Sequence, residues 1–168
     1  MLKDKIKTRS KLKGIIRGLK KKGKRIAFTN GCFDILHRGH VEYLEAAKRC
    51  ADILIVALNS DKSIKKLKGA PRPIIDEKER AMIVAALESV DYVTIFEEVD
   101  PLKVITELKP DILIKGGDWD VDKVVGKDFV ESYGGIVQTI PYVQGYSTSA
   151  IIERIKLINS EYRNFKIL

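Results

Sequence analysis

"RIAFTNGCFDILHRGH", residues 25–40, reads as a strand, a loop and the opening of a helix. Residues 25–29 are a short β-like run, the loop carries Gly31 and Gly39, and "HVEYLEAAKRC" (40–50) takes up helical periodicity. The unit then recurs along the chain. "DILIVAL" (52–58), "DYVTIF" (91–96), "DILIKG" (111–116) and "GIVQTI" (135–140) are further apolar runs of strand length. Helical patterns occupy "DEKERAMIVAALESV" (76–90), "PLKVITELK" (101–109), "KDFVESY" (127–133) and "SAIIERIKLI" (149–158). Strands that are apolar throughout, rather than alternating, belong to a sheet covered on both faces. Alternation of such strands with helices predicts an α/β fold, a doubly wound five-stranded parallel sheet in a Rossmann-like α/β/α sandwich. Such folds bind ligands beyond the carboxyl ends of their strands. Several boundaries carry local signals: Asp76 with Glu79 as a capping box, Pro101 in a first turn after Asp100, and Gly134–Gly135 between helix and strand.

The 168 residues suit one globular core. Hydrophobic residues make up 45% and charged residues 32%, a composition without low complexity or repeats. No apolar run approaches the roughly 20 residues of a membrane span, and the N-terminus lacks the apolar core of a secretion signal, so a cytoplasmic protein is expected. Cys32 and Cys50 are not spaced as CxxC and are expected to be unlinked thiols. The net charge of +8 points to polyanionic partners, whether nucleic acid, membrane surface or small phosphates. Much of that charge lies in residues 1–25, where Leu12, Ile15, Ile16 and Leu19 recur at helical spacing. A basic amphipathic helix over 1–23, packed on the core, is the expectation. No aromatic is interleaved there to stack on bases or sit at an interface, so neither nucleic acid nor membrane is expected as its partner.

The loop after the first strand holds both histidines of the chain, His37 and His40, with His40 expected to open the next helix. A helix start offers unpaired N–H groups and a positive dipole to an anion. Gly31 and Gly39 let backbone approach a ligand, and two imidazoles three residues apart suit convergent donation to phosphate oxygen. Two other readings compete. As metal ligands, two histidines with no third partner nearby are a poor zinc set; as packed side chains they need no ligand. Their shared place at the active edge favours phosphate.

The second loop, "KSIKKLKGAPRPIIDEKER" (62–80), brings Lys62, Lys65, Lys66, Lys68, Arg72 and Arg80 to the same edge. It is either a solvated charge run or a polyphosphate contact, with Lys68, before Gly69, the foremost candidate. The fourth strand ends in "KGGDW" (115–119). Lys115 suits phosphate and Asp118 suits ribose or substrate hydroxyls, against a plain turn and a packed Trp119. Finally, "GYSTSAII" (145–152) puts Ser147, Thr148 and Ser149 at the start of the last helix. One hydroxyl is enough for an N-cap; three make a stronger anion site.

"GCFDILHRGH" (31–40) resembles the HxGH signature of the nucleotidyltransferase superfamily, and "STS" (147–149) resembles its second signature, over roughly residues 24–156. With "LNSDKSIKKLKGAPRP" (58–73), "ERAMIVAALESVDYV" (79–93) and "KPDILIKGGDW" (109–119), the chain is most similar to D-glycero-D-manno-heptose 1-phosphate adenylyltransferases. The resemblance implies a nucleotidyltransferase domain over 24–168 that joins ATP and heptose 1-phosphate, giving ADP-heptose and pyrophosphate for lipopolysaccharide core or other surface sugars. It implies His37, His40 and Lys68 as catalytic groups, with Mg²⁺ accompanying ATP and no metal ligands from the protein. Nucleotide contacts are implied for Gly31, Cys32, Phe33, Asp34, Gly39 and Arg80, and for Lys115, Gly117, Asp118, Ser147, Thr148 and Ser149. Asp34, Lys68 and Trp119 would touch the sugar phosphate. A homo-oligomer is expected, and a kinase on a separate chain, since many relatives carry a ribokinase-type domain for which 168 residues leave no room.

Glycerol-3-phosphate cytidylyltransferases are the nearest competitors. Their last loop usually carries an arginine before the hydroxyls, where "PYVQGYSTS" (141–149) has Tyr142, which argues against cytidine. Tyr146 stands where the preferred family often has a small residue or Cys. Archaeal-type FAD synthetases share the first motif. A phosphate-ligand module without turnover, or a nucleic-acid binder, is the non-enzymatic reading.

Overall fold

The computed structural model describes residues 2–117, 120–141 and 143–165, with side chains to Ser160; Asp118, Trp119 and Tyr142 lie outside the described residues. The five strands are β1 (Ile26–Gly31), β2 (Ile53–Asn59), β3 (Tyr92–Phe96), β4 (Ile112–Gly116) and β5 (Ile136–Ile140). All pair in parallel, in the order β3-β2-β1-β4-β5. The expected doubly wound α/β sheet is therefore present. Each strand points alternate residues to opposite faces. Ala27, Leu54, Val56, Leu58, Val93 and Ile114 join one buried cluster with Leu44, Ala81 and Val84. Ile26, Phe28, Ile55, Ala57 and Leu113 join the other with Leu12, Ile16, Val104, Ile105 and Val130. Apolar residues at every strand position are what two buried faces require.

The helices are α1 (Arg9–Lys21), α2 (Arg38–Lys48), α3 (Asp61–Lys68), α4 (Glu77–Ala85), α5 (Leu102–Leu108), α6 (Lys127–Glu131) and α7 (Thr148–Phe165). No described helix is long and apolar enough to cross a membrane. Three differ from the sequence pattern. α1 starts only at Arg9, capped by Thr8, whose side chain accepts from the Lys11 N–H. Before it the chain runs extended beside β3, with Lys7 N–H donating to Val93 O and Val93 N–H to Lys5 O, both at 2.9 Å. Lys5 Nζ caps carbonyls of Leu87 and Val90 at 3.1 and 2.7 Å, which explains why this stretch leaves the helix. α3 lies inside what reads as a loop: Ser60 accepts from Ser63 N–H and turns the lysine run into a helix. α2 begins two residues before His40, with His37 as its N-cap residue.

Strand order reverses between β1 and β4, and there the sheet opens. β1 pairs with β2 along its whole length, to Gly31↔Leu58, and β4 with β5 to Gly116↔Ile140. Between β1 and β4 only Ala27↔Ile112 and Phe28↔Leu113 are paired. Beyond them the strands part, as expected for the crevice at a topological switch point. Side chains bridge the gap that the backbone ladder leaves. The Tyr43 hydroxyl lies 2.6 Å from Thr29 Oγ1 and 3.4 Å from Ile114 O, and Lys115 Nζ donates to Asn30 Oδ1 at 2.8 Å.

Candidate active site

The parted strands form the floor of a cavity of about 510 Å³, of a size to hold a nucleotide-sized ligand. Its walls are the β1–α2 loop with the start of α2, the α3–α4 connection, and the loop into α7.

The first wall is built around one tight turn. Phe33 takes a positive φ of 44°, folding its ring back over Gly31. A Cβ at residue 31 would lie 2.9 Å from Phe33 Cε2, so the turn needs glycine there. The folded-back ring is 6% exposed and faces His40 with centroids 5.0 Å apart. His40 in turn stacks on His37 at 3.8 Å, the planes 19° apart. Burial lowers the pKa of both imidazoles, and for His40 the charges of His37 and Lys68 add to it, bringing it to about 4. Both rings are therefore neutral at pH 7. Nδ1 of each is buried and has no hydrogen-bond partner among the described residues. A neutral imidazole keeps one N–H to donate.

Asp34 and Arg80 hold this wall in place. Asp34, 2% exposed, accepts from Arg72 Nε at 2.6 Å and from the N–H groups of Ile74 and Ile75. Burial pushes its carboxyl up, but the Ile75 and Ile74 N–H groups and Arg72 outweigh that and leave it below its ordinary value. Arg80 is completely buried and does not line the cavity. Its guanidinium donates to carbonyls of Ile75, Cys32 and Asn59 and to Asp61 Oδ1, at 2.6 to 2.9 Å. It ties the loops after β1 and β2 to α4, so Arg80, expected as a nucleotide contact, sits behind the wall instead.

Of the cations in the α3–α4 region, Lys68 and Arg72 line the cavity, whereas Lys62, Lys65 and Lys66 are exposed outside it. Arg72 Nη2 is buried without a hydrogen-bond partner. On the floor, burial brings the Lys115 ammonium down to about 8, and burial pushes the Cys32 thiol up. In the third wall, Ser147 is spent as the cap of α7, its Oγ accepting from Ala150 N–H at 3.0 Å. Thr148 and Ser149 also line the cavity. Tyr146 closes the far side: its OH accepts from Arg38 Nη1 at 3.2 Å, and its Cβ would lie 3.2 Å from a Cβ at Gly39.

His37, His40, Gly31, Cys32, Phe33, Asp34, Gly39, Lys68, Lys115, Ser147, Thr148 and Ser149 thus meet in one cavity. Gly117 does not line it; its N–H donates to Ile140 O at 2.8 Å and continues the β4–β5 ladder. Sequence reasoning missed Asn30, Tyr43 and Gly116. Tyr43 had a signal, standing three residues after His40 on one helix face. The Asn30–Lys115 pair had none, because it depends on how β1 meets β4. The cavity is a concave array of donors, including orphaned ones, facing space, which suits a polyanion. Asp34 is the one carboxylate among the described lining residues, and Arg72 and backbone N–H groups occupy it. No group of three potential metal ligands occurs among the described residues. These donors do not fit a cation held by the protein.

The family model described as cytidylyltransferase-like matches residues 28–154. The bifunctional protein HldE of Trichlorobacter lovleyi is 58% identical over 151 residues, covering 90% of this chain and 31% of its own length. The bifunctional protein HldE of Geobacter metallireducens is 56% identical over the same shares of each chain. The chain spans about a third of the length of these curated relatives. Among solved structures, the lipopolysaccharide core biosynthesis protein from Thermoplasma volcanium matches with a TM-score of 0.61 at 30% identity, over 74% of this chain and 100% of that one. Pantoate-beta-alanine ligase from Francisella tularensis shares the fold, with a TM-score of 0.59 at 18% identity over 81% of this chain and 66% of that one.

Proposed function

The chain belongs to the cytidylyltransferase-like family of nucleotidyltransferases, and from that membership we propose that it transfers AMP from ATP to D-glycero-D-manno-heptose 1-phosphate in the cytoplasm. The products are ADP-heptose and pyrophosphate. The observation that carries the reading is the meeting of His37 and His40 with the α7 hydroxyls in one cation-lined cavity. The choice of sugar rests on the resemblance of the motifs to heptose 1-phosphate adenylyltransferases and on the 30% identical relative described by lipopolysaccharide core biosynthesis.

A phosphate oxygen of the acceptor forms a bond to the α-phosphorus while the bond from that phosphorus to the α–β bridging oxygen breaks. The acceptor arrives ionised, so no proton has to be removed from it. What remains is to align two anions and to stabilise the charge that moves onto pyrophosphate. His37 and His40 donate to the α- and β-phosphates; Lys68, Lys115, Arg72 and the start of α7 hold the rest. Gly31 and Gly39 keep the backbone close to the nucleotide. Mg²⁺ belongs to the substrate, arriving on ATP and neutralising part of its charge.

Pyrophosphate release measured with ATP, CTP or GTP against heptose 1-phosphates, glycerol 3-phosphate and FMN tests the assignment. Release is expected with ATP and D-glycero-D-manno-heptose 1-phosphate. Preferential release from CTP with glycerol 3-phosphate, or from ATP with FMN, would replace the acceptor and retain the family.

A further inference from the structure

Arg38 opens α2 without lining the cavity, whereas Tyr146, facing it from the loop into α7, does line it. The two are joined. Tyr146 OH accepts from Arg38 Nη1 at 3.2 Å, and the guanidinium carbon stands 5.4 Å from the centre of the Tyr146 ring. Glu42, one turn along α2, takes Arg38 Nε and so fixes the direction of the guanidinium fork. Tyr146 Cβ meets the bare backbone of Gly39, where an added Cβ would come within 3.2 Å of it and of His37 Cε1. Gly145 turns the loop just before this contact with a φ of 85°, and among the described residues nothing lies within 4 Å of where its Cβ would stand. Tyr146 thus leans the loop on the histidine wall, and a small residue at 146 could not reach Arg38.

We propose that Arg38 is a positioning residue: acting through Tyr146, it holds residues 143–147 against the start of α2 and sets Ser147 and Thr148 across the cavity from His37 and His40 before a ligand arrives. Arg38 and Tyr146 are 63% and 43% exposed, and a bond between exposed groups is weak. The two walls therefore part and rejoin in the free protein, and this bond biases them toward the joined state. A ligand that needs both walls loses apparent affinity in proportion to the molecules in which they are apart. Once bound, it bridges the walls and holds them itself. Arg38 therefore acts on binding and leaves the chemical step alone. The inference rests on the proposed reaction for its ligand, ATP, while the contact itself needs none.

Arg38→Ala and Tyr146→Phe should each raise KM for ATP about two- to fivefold, the range open to an exposed pair, with kcat within about twofold of wild type. The double variant should be no worse than Arg38→Ala, because the second change then removes nothing further. Additive effects, or an effect of only one of the two changes, would mean that a residue acts on the nucleotide directly and would overturn the proposal. NMR of the ligand-free protein reads the contact itself. Nuclear Overhauser effects between the Tyr146 β-protons and the Gly39 α-protons should lose intensity in Arg38→Ala. Those between the Tyr43 ring and Gly116, where Tyr43 Cε2 lies 3.1 Å from the position of an added Cβ, should stay. Full intensity at Gly39 in that variant overturns the proposal whatever the substrate. A wild type that turns over CTP in place of ATP overturns the proposed reaction instead, and the same KM comparison is then made with CTP.

Discussion

Lys115 sits at about 8, below the 10.5 of an ordinary lysine, because it is buried at the floor of the cavity. Between those two values the ligand-free folded protein binds fewer protons here than the unfolded chain does. This group's contribution to stability is therefore least favourable at neutral pH and improves as pH rises through the window. A triphosphate reverses the preference by stabilising the ammonium. Nucleotide binding just above pH 8 should take up protons, visible by calorimetry in two buffers of different ionisation enthalpy, and the uptake should vanish in Lys115→Arg. His40 is the opposite case, neutral across the working range because it sits at about 4, and in the proposed reaction it acts as a donor. His40→Ala should lower kcat by about 10²–10³, as for other oxyanion donors, with a native circular dichroism spectrum. Near-normal turnover in that variant would remove the imidazole from the chemistry.

Among the elements, α1 shows how a basic helix is docked. Leu12 and Ile16 are buried against α5 and the sheet, and Arg9 grips Glu98 through two bonds of 2.9 and 2.7 Å and Glu107 through one of 3.2 Å. The Arg9 guanidinium holds the Glu98 carboxyl down at about 2. The pair stabilises the fold above the ordinary carboxyl value of 4.5, and its contribution is lost as pH falls from there towards 2. Glu98→Gln should cost about 0.5–1 kcal/mol at pH 7 and much less near pH 2, by urea unfolding at both. The strands were legible because Ile, Leu and Val at successive positions mean two covered faces. α3 was not, since "KSIKKLK" looks like a solvated run until the Ser60 cap and the buried Ile64 are seen.

Across the whole molecule, charge and chemistry occupy opposite edges. Twelve of the 31 Lys and Arg, but only one of the 23 acids, fall within residues 1–25, and the remaining 19 cations meet 22 acids. Lys20 and Lys24 pair with Asp111 and Asp52, which precede β4 and β2, at the edge away from the cavity. The net charge of +8 thus says little about the candidate site, whose donors suited to phosphate are local. Its two signatures were legible because each stands in a strand-end loop. Asn30, Tyr43 and the inward guanidinium of Arg80 were not, since they answer to the parting of β1 from β4 and to loops brought together only by the fold. A ligand gripped from both sides should quiet both: ATP is expected to slow amide hydrogen exchange in residues 31–40 and 143–149 together. Protection confined to one segment would separate the two walls.

The two walls also come from distant parts of the gene product. A ribosome finishes the histidine loop about a hundred residues before it reaches Ser147. Until that serine leaves the exit tunnel, a nascent chain owns half a cradle, and under the proposed function it lacks its second grip on ATP. Under the proposed function, nucleotide can then stabilise only chains that have been made as far as the start of α7.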